Sequence, residues 1–290
     1  MDLATPAAGR ITTATVRTGS LRTGGAALNW RADQVTTNVV LVHGSFDDHT
    51  SWDRIVPLLP HDITAIRYDR RGHSRSSAPA GRSGLHDHAG DLVSVITELA
   101  GGAAHLVGHS YGALVALMTA ARHPELVSSV LVHEPPAFPL LADDPQGEPL
   151  RAEARAHVTT VAAHIEAGRQ DEAVALFAEK VAFGPRWREL FPQPQRAVLA
   201  ANAHTYLDQF HDPDHYALDL EALATDRVPI TVTVGTDGPA AVRRCTQLLA
   251  DRLPAATVET LTGAGHAPHL SHPDEFAAAL ARHLGRVRRS

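Results

Sequence analysis

One cysteine, one lysine and no apolar run long enough to cross a bilayer set the first limits on this 290-residue chain. Cys245 has no partner for an internal disulfide, which fits a reducing compartment. No stretch approaches the ~18 apolar residues of a membrane span. The opening MDLATPAAGRITTATV lacks a charged segment followed by an apolar one, so no secretory leader is read there. Together these absences predict a cytoplasmic protein with no membrane partner. An excess of positive charge is also missing. The net charge is −6, which argues against a nucleic-acid footprint, and the basic ending RVRRS reads as a short solvated tail. Lys180 is the only lysine, a bias without a functional reading. Clustered metal ligands are absent too. The 19 histidines are scattered, and His86-Asp87-His88 and His266-Ala-Pro-His269 lack the companion ligands of zinc sites, so no metal or cofactor is expected.

Hydrophobic residues make up 44% of the chain, enough for a substantial core. Residues 11–31, punctuated by Gly19, Gly24 and Gly25, read as an antiparallel hairpin. Apolar runs at 38–44, 63–69, 104–108 and 128–134 read as strands buried on both faces, separated by helical patterns at 48–59, 86–99 and 111–122. A proline-rich passage then leads into helical stretches at 149–167, 170–182, 195–210 and 215–224 with no strand among them. Alternation resumes with a strand at 229–235, a helix through Leu249, a strand at 257–262 and a helix over 273–284. The fold class predicted is α/β: a doubly wound, mostly parallel sheet with an inserted helical cap. Residues 1–134 and 226–290 form its core and 135–225 the cap, a lid over one end of the sheet.

The sequence GHSYG, residues 108–112, sits where a buried strand must turn sharply into a helix. Such a turn holds Ser110 in a strained conformation, lifts its hydroxyl above the sheet and aims the helix N-terminus at it. Ser110 is therefore the candidate nucleophile. A serine hydroxyl needs a base. His266, in the glycine-bearing loop TGAGHAPHLSHPDEF, is the candidate. A developing oxyanion needs two N–H donors. Tyr111, directly after the serine, supplies one, and Ser45 or Phe46 in HGSFDD the other. His43 is expected to brace that loop at the edge of the substrate site.

These motifs, HGSFDDHTSW, YDRRGHSRS, GHSYGA and GAGHAPHLSHPDEF, resemble in order the oxyanion loop, Arg-Gly loop, nucleophile elbow and histidine loop of the α/β-hydrolase superfamily. The resemblance spans nearly the whole chain and implies an α/β-hydrolase fold with a helical cap. Serine at 110, where epoxide hydrolases and haloalkane dehalogenases carry aspartate, points to acyl chemistry. The acid departs from the family pattern. The family places it as G-x-x-D after the strand that follows the cap, but this chain reads Gly235-Thr236-Asp237-Gly238, with aspartate one position early. Glu134, at the end of the strand after the nucleophile helix, is the other candidate. Both satisfy the order serine, acid, histidine. Glu134 is preferred because packing does not explain a glutamate at the tip of an apolar strand.

The insertion contributes Phe177, Phe183, Trp187, Phe191, Tyr206, Phe210 and Tyr216, some packing the cap and some lining a substrate pocket. Trp187, flanked by Arg186 and Arg188, is the candidate substrate contact. The expected activity is a serine hydrolase acting on a small, largely apolar ester, lactone, thioester or related carbonyl compound. Two alternatives stand beside it: a non-hydrolytic enzyme of the same fold, such as one performing cyclisation or perhydrolysis, and a ligand-binding module. The expected partner is a small molecule, and the sequence does not indicate an oligomeric state.

Overall fold

The computed structural model describes residues 16–33, 37–225 and 227–289. Residues 1–15, which hold the start of the expected hairpin and the opening in which no secretory leader is read, and residue 226 at the expected reopening of the core lie outside the described residues. Eight strands form one sheet: β1 (Val16–Thr23), β2 (Ala26–Asp33), β3 (Thr37–Val42), β4 (Ile63–Tyr68), β5 (Ala104–His109), β6 (Val127–His133), β7 (Ile230–Gly235) and β8 (Thr257–Leu261). Their spatial order is β1-β2-β4-β3-β5-β6-β7-β8. The β1–β2 and β2–β4 pairs are antiparallel, and all later pairs are parallel. The continuous apolar runs become the central strands, with β4 and β7 buried along their full length, whereas the edge strand β8 alternates half-buried and exposed positions before the buried Leu261.

Helices cover both faces. On one, α1 (Leu85–Leu99) and α2 (Tyr111–Arg122) bury Leu92, Ile96, Leu114 and Leu117 against Val40, Leu106 and Val130. The insertion between β6 and β7 holds α3 (Gly147–Glu166), α4 (Gln170–Leu176, continued by a π-helical turn through Ala182), α5 (Trp187–Leu190), α6 (Gln193–Asn202), α7 (Tyr206–His211) and α8 (Leu220–Leu223). The chain closes with α9 (Ala240–Arg252), α10 (Pro268–Ser271) and α11 (Pro273–Val287). Helix α11 covers the opposite face, packing Phe276, Leu280 and Leu284 with Val39, Leu41 and Trp52.

Three local expectations change. The helix expected over 48–59 is two 3-10 turns, His49–Trp52 and Val56–Leu58, because Pro57 lacks the N–H that a continuous α-helix needs. The stretch at 195–210 is α6 and α7 joined by a 3-10 turn. That at 215–224 shrinks to α8, whose start is set by Asp219 accepting the Ala222 N–H at 2.9 Å.

The sheet order reverses direction between β3 and β5, so the loops after these two strands open side by side, Val42 facing Gly108. This is the crevice where open parallel sheets bind ligands. The inserted helices roof it. Their cluster of Val161, Ile165, Phe177 and Leu199 takes in Phe46 from the loop after β3, and Ala267 and Leu270 from the loop after β8.

Candidate active site

Ser110 caps α2 with φ +53° and ψ −122°, a conformation few side-chain-bearing residues adopt. Two glycines permit it. A Cβ at Gly108 would lie 2.5 Å from Ala113 Cα, and one at Gly112 would lie 2.3 Å from the Val42 carbonyl oxygen. The first turn of α2 can therefore nest against the end of β3, and the Ser110 N–H is held by the His133 carbonyl at 3.0 Å. Four non-glycine residues among those described have positive φ: Phe46, Ser74, Ser110 and Glu134. Three of the four are candidate site residues, so strain is concentrated where the sequence locates chemistry.

His266 follows β8 and is buried. Its Nδ1–H donates to Glu134 Oε2 at 2.7 Å, leaving Nε2 as the basic nitrogen. The other carboxylate oxygen, Oε1, accepts the Gly235 N–H at 2.9 Å. Burial pushes the Glu134 pKa up, but neighbouring His133, the His266 hydrogen bond and the Gly235 N–H outweigh it, and the net shift is downward. Glu134 thus carries a negative charge against the imidazole at neutral pH. Asp237 does not reach His266. Its side chain is exposed and accepts from Thr236 Oγ1 at 2.8 Å. Gly238 explains the exchange, because a Cβ there would lie 2.8 Å from Glu134 Oε1. Ser110 and His266 line one cavity, and no hydrogen bond joins their side chains. Such bonds commonly tighten only with substrate present.

The loop after β3 is fixed from below and above. From below comes Arg70, fully buried, with no hydrogen bond or ion pair to a carboxylate among the described residues. Its Nε donates to the His43 carbonyl at 3.1 Å and its Nη2 to the Gly44 carbonyl at 2.9 Å. Further contacts run to His73 Nε2 at 3.1 Å and His88 Nε2 at 3.4 Å, and the guanidinium lies 4.9 Å from the Tyr111 ring centroid. Burial lowers its pKa to about 10, leaving it charged at neutral pH. From above, Asn202 of α6 donates to the carbonyls of Phe46 and Asp47 at 3.1 and 3.0 Å, and Gln209 of α7 accepts from Ser45 Oγ at 2.7 Å. The sequence reading missed Arg70, Asn202 and Gln209. Nothing in YDRRG singles out Arg70, which stands between Asp69 and Arg71, and no signal existed for the other two.

His43 braces the loop and does not line the cavity. Its Nδ1–H donates to the Gly44 carbonyl at 3.0 Å and its Nε2 accepts the Arg70 N–H at 2.9 Å, so neither nitrogen is available to substrate. Trp187 is also displaced from its expected role. It is buried in the cluster of the inserted helices with Phe191, under Arg188 at 4.5 Å, and is not a lining residue. The cavity of about 690 Å³ is walled instead by Phe138, Phe177, Tyr206, Phe210 and Tyr216.

Among the described residues, three clusters bring metal-ligating atoms within 4.8 Å of one another. In the first, His133-Glu134-His266, the carboxylate is already bonded to His266. In Asp48-His49-Asp69, His49 Nδ1 contacts Asp69 Oδ1 at 2.6 Å, and Asp48 accepts from Thr50 and Ser74. The third, Asp47-His109-His269, contributes no lining residue to the cavity.

The profile described as "Alpha/beta hydrolase family" matches residues 39–279. The chain is 26% identical over 281 residues to the Bacillus subtilis protein named "Uncharacterized hydrolase YraK", covering 92% of this chain and 95% of that one. Among solved structures it resembles a hydrolase from Pseudomonas aeruginosa at TM-score 0.74 and 24% identity, over 92% of this chain and 98% of that one. It also resembles a Nitrososphaera gargenis structure, whose title concerns carboxylesterases, at TM-score 0.74 and 18% identity over 93% and 99% of the two chains.

Proposed function

The chain belongs to the alpha/beta hydrolase family, and from that premise we propose that it is a serine hydrolase of small esters, lactones, thioesters or related acyl compounds. Ser110 Oγ attacks the acyl carbon while His266 Nε2 takes its proton. Glu134 holds the imidazole in the required tautomer and stabilises the imidazolium that forms. The negative charge arising on the carbonyl oxygen is met by the Tyr111 N–H at the start of α2 and by the Ser45 or Phe46 N–H. His266 then protonates the leaving group, and water repeats the sequence in reverse to free Ser110. The observation that carries this reading is the 2.7 Å contact between His266 and a buried, negatively charged Glu134 beside a strained serine. The carboxylesterase title of a structural neighbour agrees with ester chemistry.

Residues 135–225 act as the cap, and their aromatic wall selects the acyl group by shape and apolar contact. The peptide unit that presents the Ser45 N–H has the Gly44 carbonyl at its other end. By binding that oxygen, Arg70 polarises the amide and strengthens its N–H as a donor. Its hydrogen bonds to the two carbonyls offset part of the cost of keeping a guanidinium buried without a counter-ion.

The test is covalent labelling with a fluorophosphonate probe, together with a panel of p-nitrophenyl esters of graded chain length. One label per chain is expected, lost in Ser110→Ala and suppressed in His266→Ala, with turnover that survives EDTA. Labelling that persists in folded Ser110→Ala would move the nucleophile elsewhere.

A further inference from the structure

The cavity is charged at one place only in a way its neighbours leave open. Its lining includes Arg151 and Arg155 of α3 but no aspartate or glutamate. Arg151 is already engaged, its Nε and Nη2 donating to the two carboxylate oxygens of Glu148 at 2.7 and 3.0 Å. Arg155, one turn further, makes no hydrogen bond or ion pair among the described residues, and neither does the hydroxyl of Thr159 one turn beyond it. Residues four apart share one face of a helix, so guanidinium and hydroxyl form a pair of free donors at the exposed rim of the cavity, where it meets a surface groove bordered by Glu148, Ala152 and Ala156. Around them the wall is Ala154, Val158 and the cap aromatics. A guanidinium at an otherwise apolar wall matches a planar carboxylate, which it can bind through two parallel hydrogen bonds. One free positive charge matches a monoanion better than a phosphate dianion, because Arg151 is committed to Glu148.

We propose that Arg155, with Thr159, forms an anion-binding subsite at the cap end of the cavity, and that the substrate carries a carboxylate separated by an apolar chain from the acyl group at Ser110. A monoester of a medium-length dicarboxylic acid has this form. So does an ester whose alcohol part ends in a carboxylate, which presents the same chemistry from the leaving-group side. About 690 Å³ is ample, since a cavity near 150 Å³ already holds benzene. The inference rests on the serine-hydrolase reading for its chemistry but not for its binding.

The experiment compares mono-p-nitrophenyl adipate with p-nitrophenyl hexanoate, equal in chain length and differing in the terminal carboxylate. At low salt kcat/KM should favour the anion by about tenfold or more, mainly through KM, because recognition far from the reacting bond is uniform binding. Arg155→Gln should bring the ratio towards one, Arg155→Glu should invert it, and high salt should compress it. Arg186→Gln, at an exposed cap arginine outside the cavity lining, should leave the ratio unchanged. The acetyl ester of 6-hydroxyhexanoate reports the leaving-group side, and an Arg155-dependent preference confined to it would keep the subsite and reverse the substrate's orientation. Independently of turnover, Ser110→Ala should bind monomethyl adipate more tightly than methyl hexanoate, with the advantage lost in Ser110→Ala/Arg155→Gln. If no ester is cleaved, the hydrolase reading fails and this binding comparison still decides the subsite. Equal treatment of anion and neutral compound in both assays, or a preference that survives both Arg155 substitutions, overturns the proposal.

Discussion

The carboxylate of Glu134 fills the space that a side chain at position 238 would need: a Cβ on Gly238 would lie 2.8 Å from Oε1 and 3.0 Å from Oε2. The glycine in the family's usual acid position and the glutamate on the neighbouring strand are therefore one arrangement. If Glu134 serves His266, Glu134→Gln keeps the shape, removes the charge and should lower kcat on the order of 10³–10⁴-fold. Asp237→Asn should cost no more than about tenfold. Steady-state kinetics on a p-nitrophenyl ester measures both, and the opposite pattern would return the role to Asp237.

The same packing makes Gly238 a sensitive position. Gly238→Ala introduces a methyl group into the carboxylate and must displace it from His266, because the adjacent backbone is fixed by Asp237 N–H donating to the Ala264 carbonyl at 2.9 Å. A displacement approaching an ångström should lower kcat by about ten- to a hundredfold with an unchanged melting temperature. Full activity in a folded Gly238→Ala protein would show that the imidazole tolerates a looser carboxylate.

Much of this fold was legible because buried parallel strands write themselves as unbroken apolar runs, as in Val39-Val40-Leu41-Val42, and because Gly108 and Gly112 mark a turn that larger residues would block. The acid remained open because two carboxylates obeyed the same chain order, and only the folded contacts, the hydrogen bond from His266 to Glu134 and the close approach at Gly238, separate them. The substrate contact expected of Trp187 was misread for a related reason, and His43 braces its loop as expected but does not line the cavity. Whether an imidazole has a free nitrogen, or an indole faces a cavity or a helix, depends on packing between elements distant in sequence. Arg70 shows the converse, a residue whose role comes entirely from two backbone carbonyls that no motif records.

Arg70 provides a third expectation. Arg70→Lys retains a positive charge but not the fork that spans the His43 and Gly44 carbonyls, and Arg70→Gln loses the charge as well. If polarisation of the loop amide matters, kcat should fall in the order wild type, lysine, glutamine, by about tenfold or more in the last, with KM little changed. A boronic acid that mimics the tetrahedral adduct should weaken in parallel. Melting temperatures would expose mere misfolding. A folded glutamine variant with wild-type kcat and boronate affinity would reduce Arg70 to a structural brace.

The aromatic residues of the cap divide into two groups with different expected phenotypes. Phe210 lines the cavity, so Phe210→Ala should shift the preferred ester chain length while fluorophosphonate still labels Ser110. Trp187 packs the cap's cluster at 3% exposure, so Trp187→Ala should cost about 3–5 kcal/mol of stability, seen as a lower denaturant midpoint. A Trp187→Ala protein of wild-type stability with altered chain-length preference would restore the substrate contact expected from sequence.

The histidines supply the last prediction. His43, His73, His88, His109, His133, His269 and His283 are buried, and burial lowers the pKa of each, to about 4 for His133 and His283 and well below the usual value for the others. They are therefore neutral in the folded protein at neutral pH. In the unfolded chain each takes up a proton as pH falls through about 6.5. From these seven groups the unfolded state then binds more protons than the folded one; Asp47, raised to about 7 by burial, opposes them by one proton, so stability still falls as pH drops from that point towards the folded values. Each such proton contributes about 1.4 kcal/mol per pH unit. Glu134, with a lowered pKa, acts in the same direction but only at the acid end, where its charge is lost. The melting temperature should be nearly level above pH 7 and fall steeply between about pH 6.5 and 5. The slope there should correspond to uptake of at least about three protons on unfolding. Thermal melts across that range, with the unfolding enthalpy from calorimetry, give the proton number directly. A melting temperature unchanged from pH 7.5 to 5.5 would mean that these histidines titrate alike in both states, contrary to their burial.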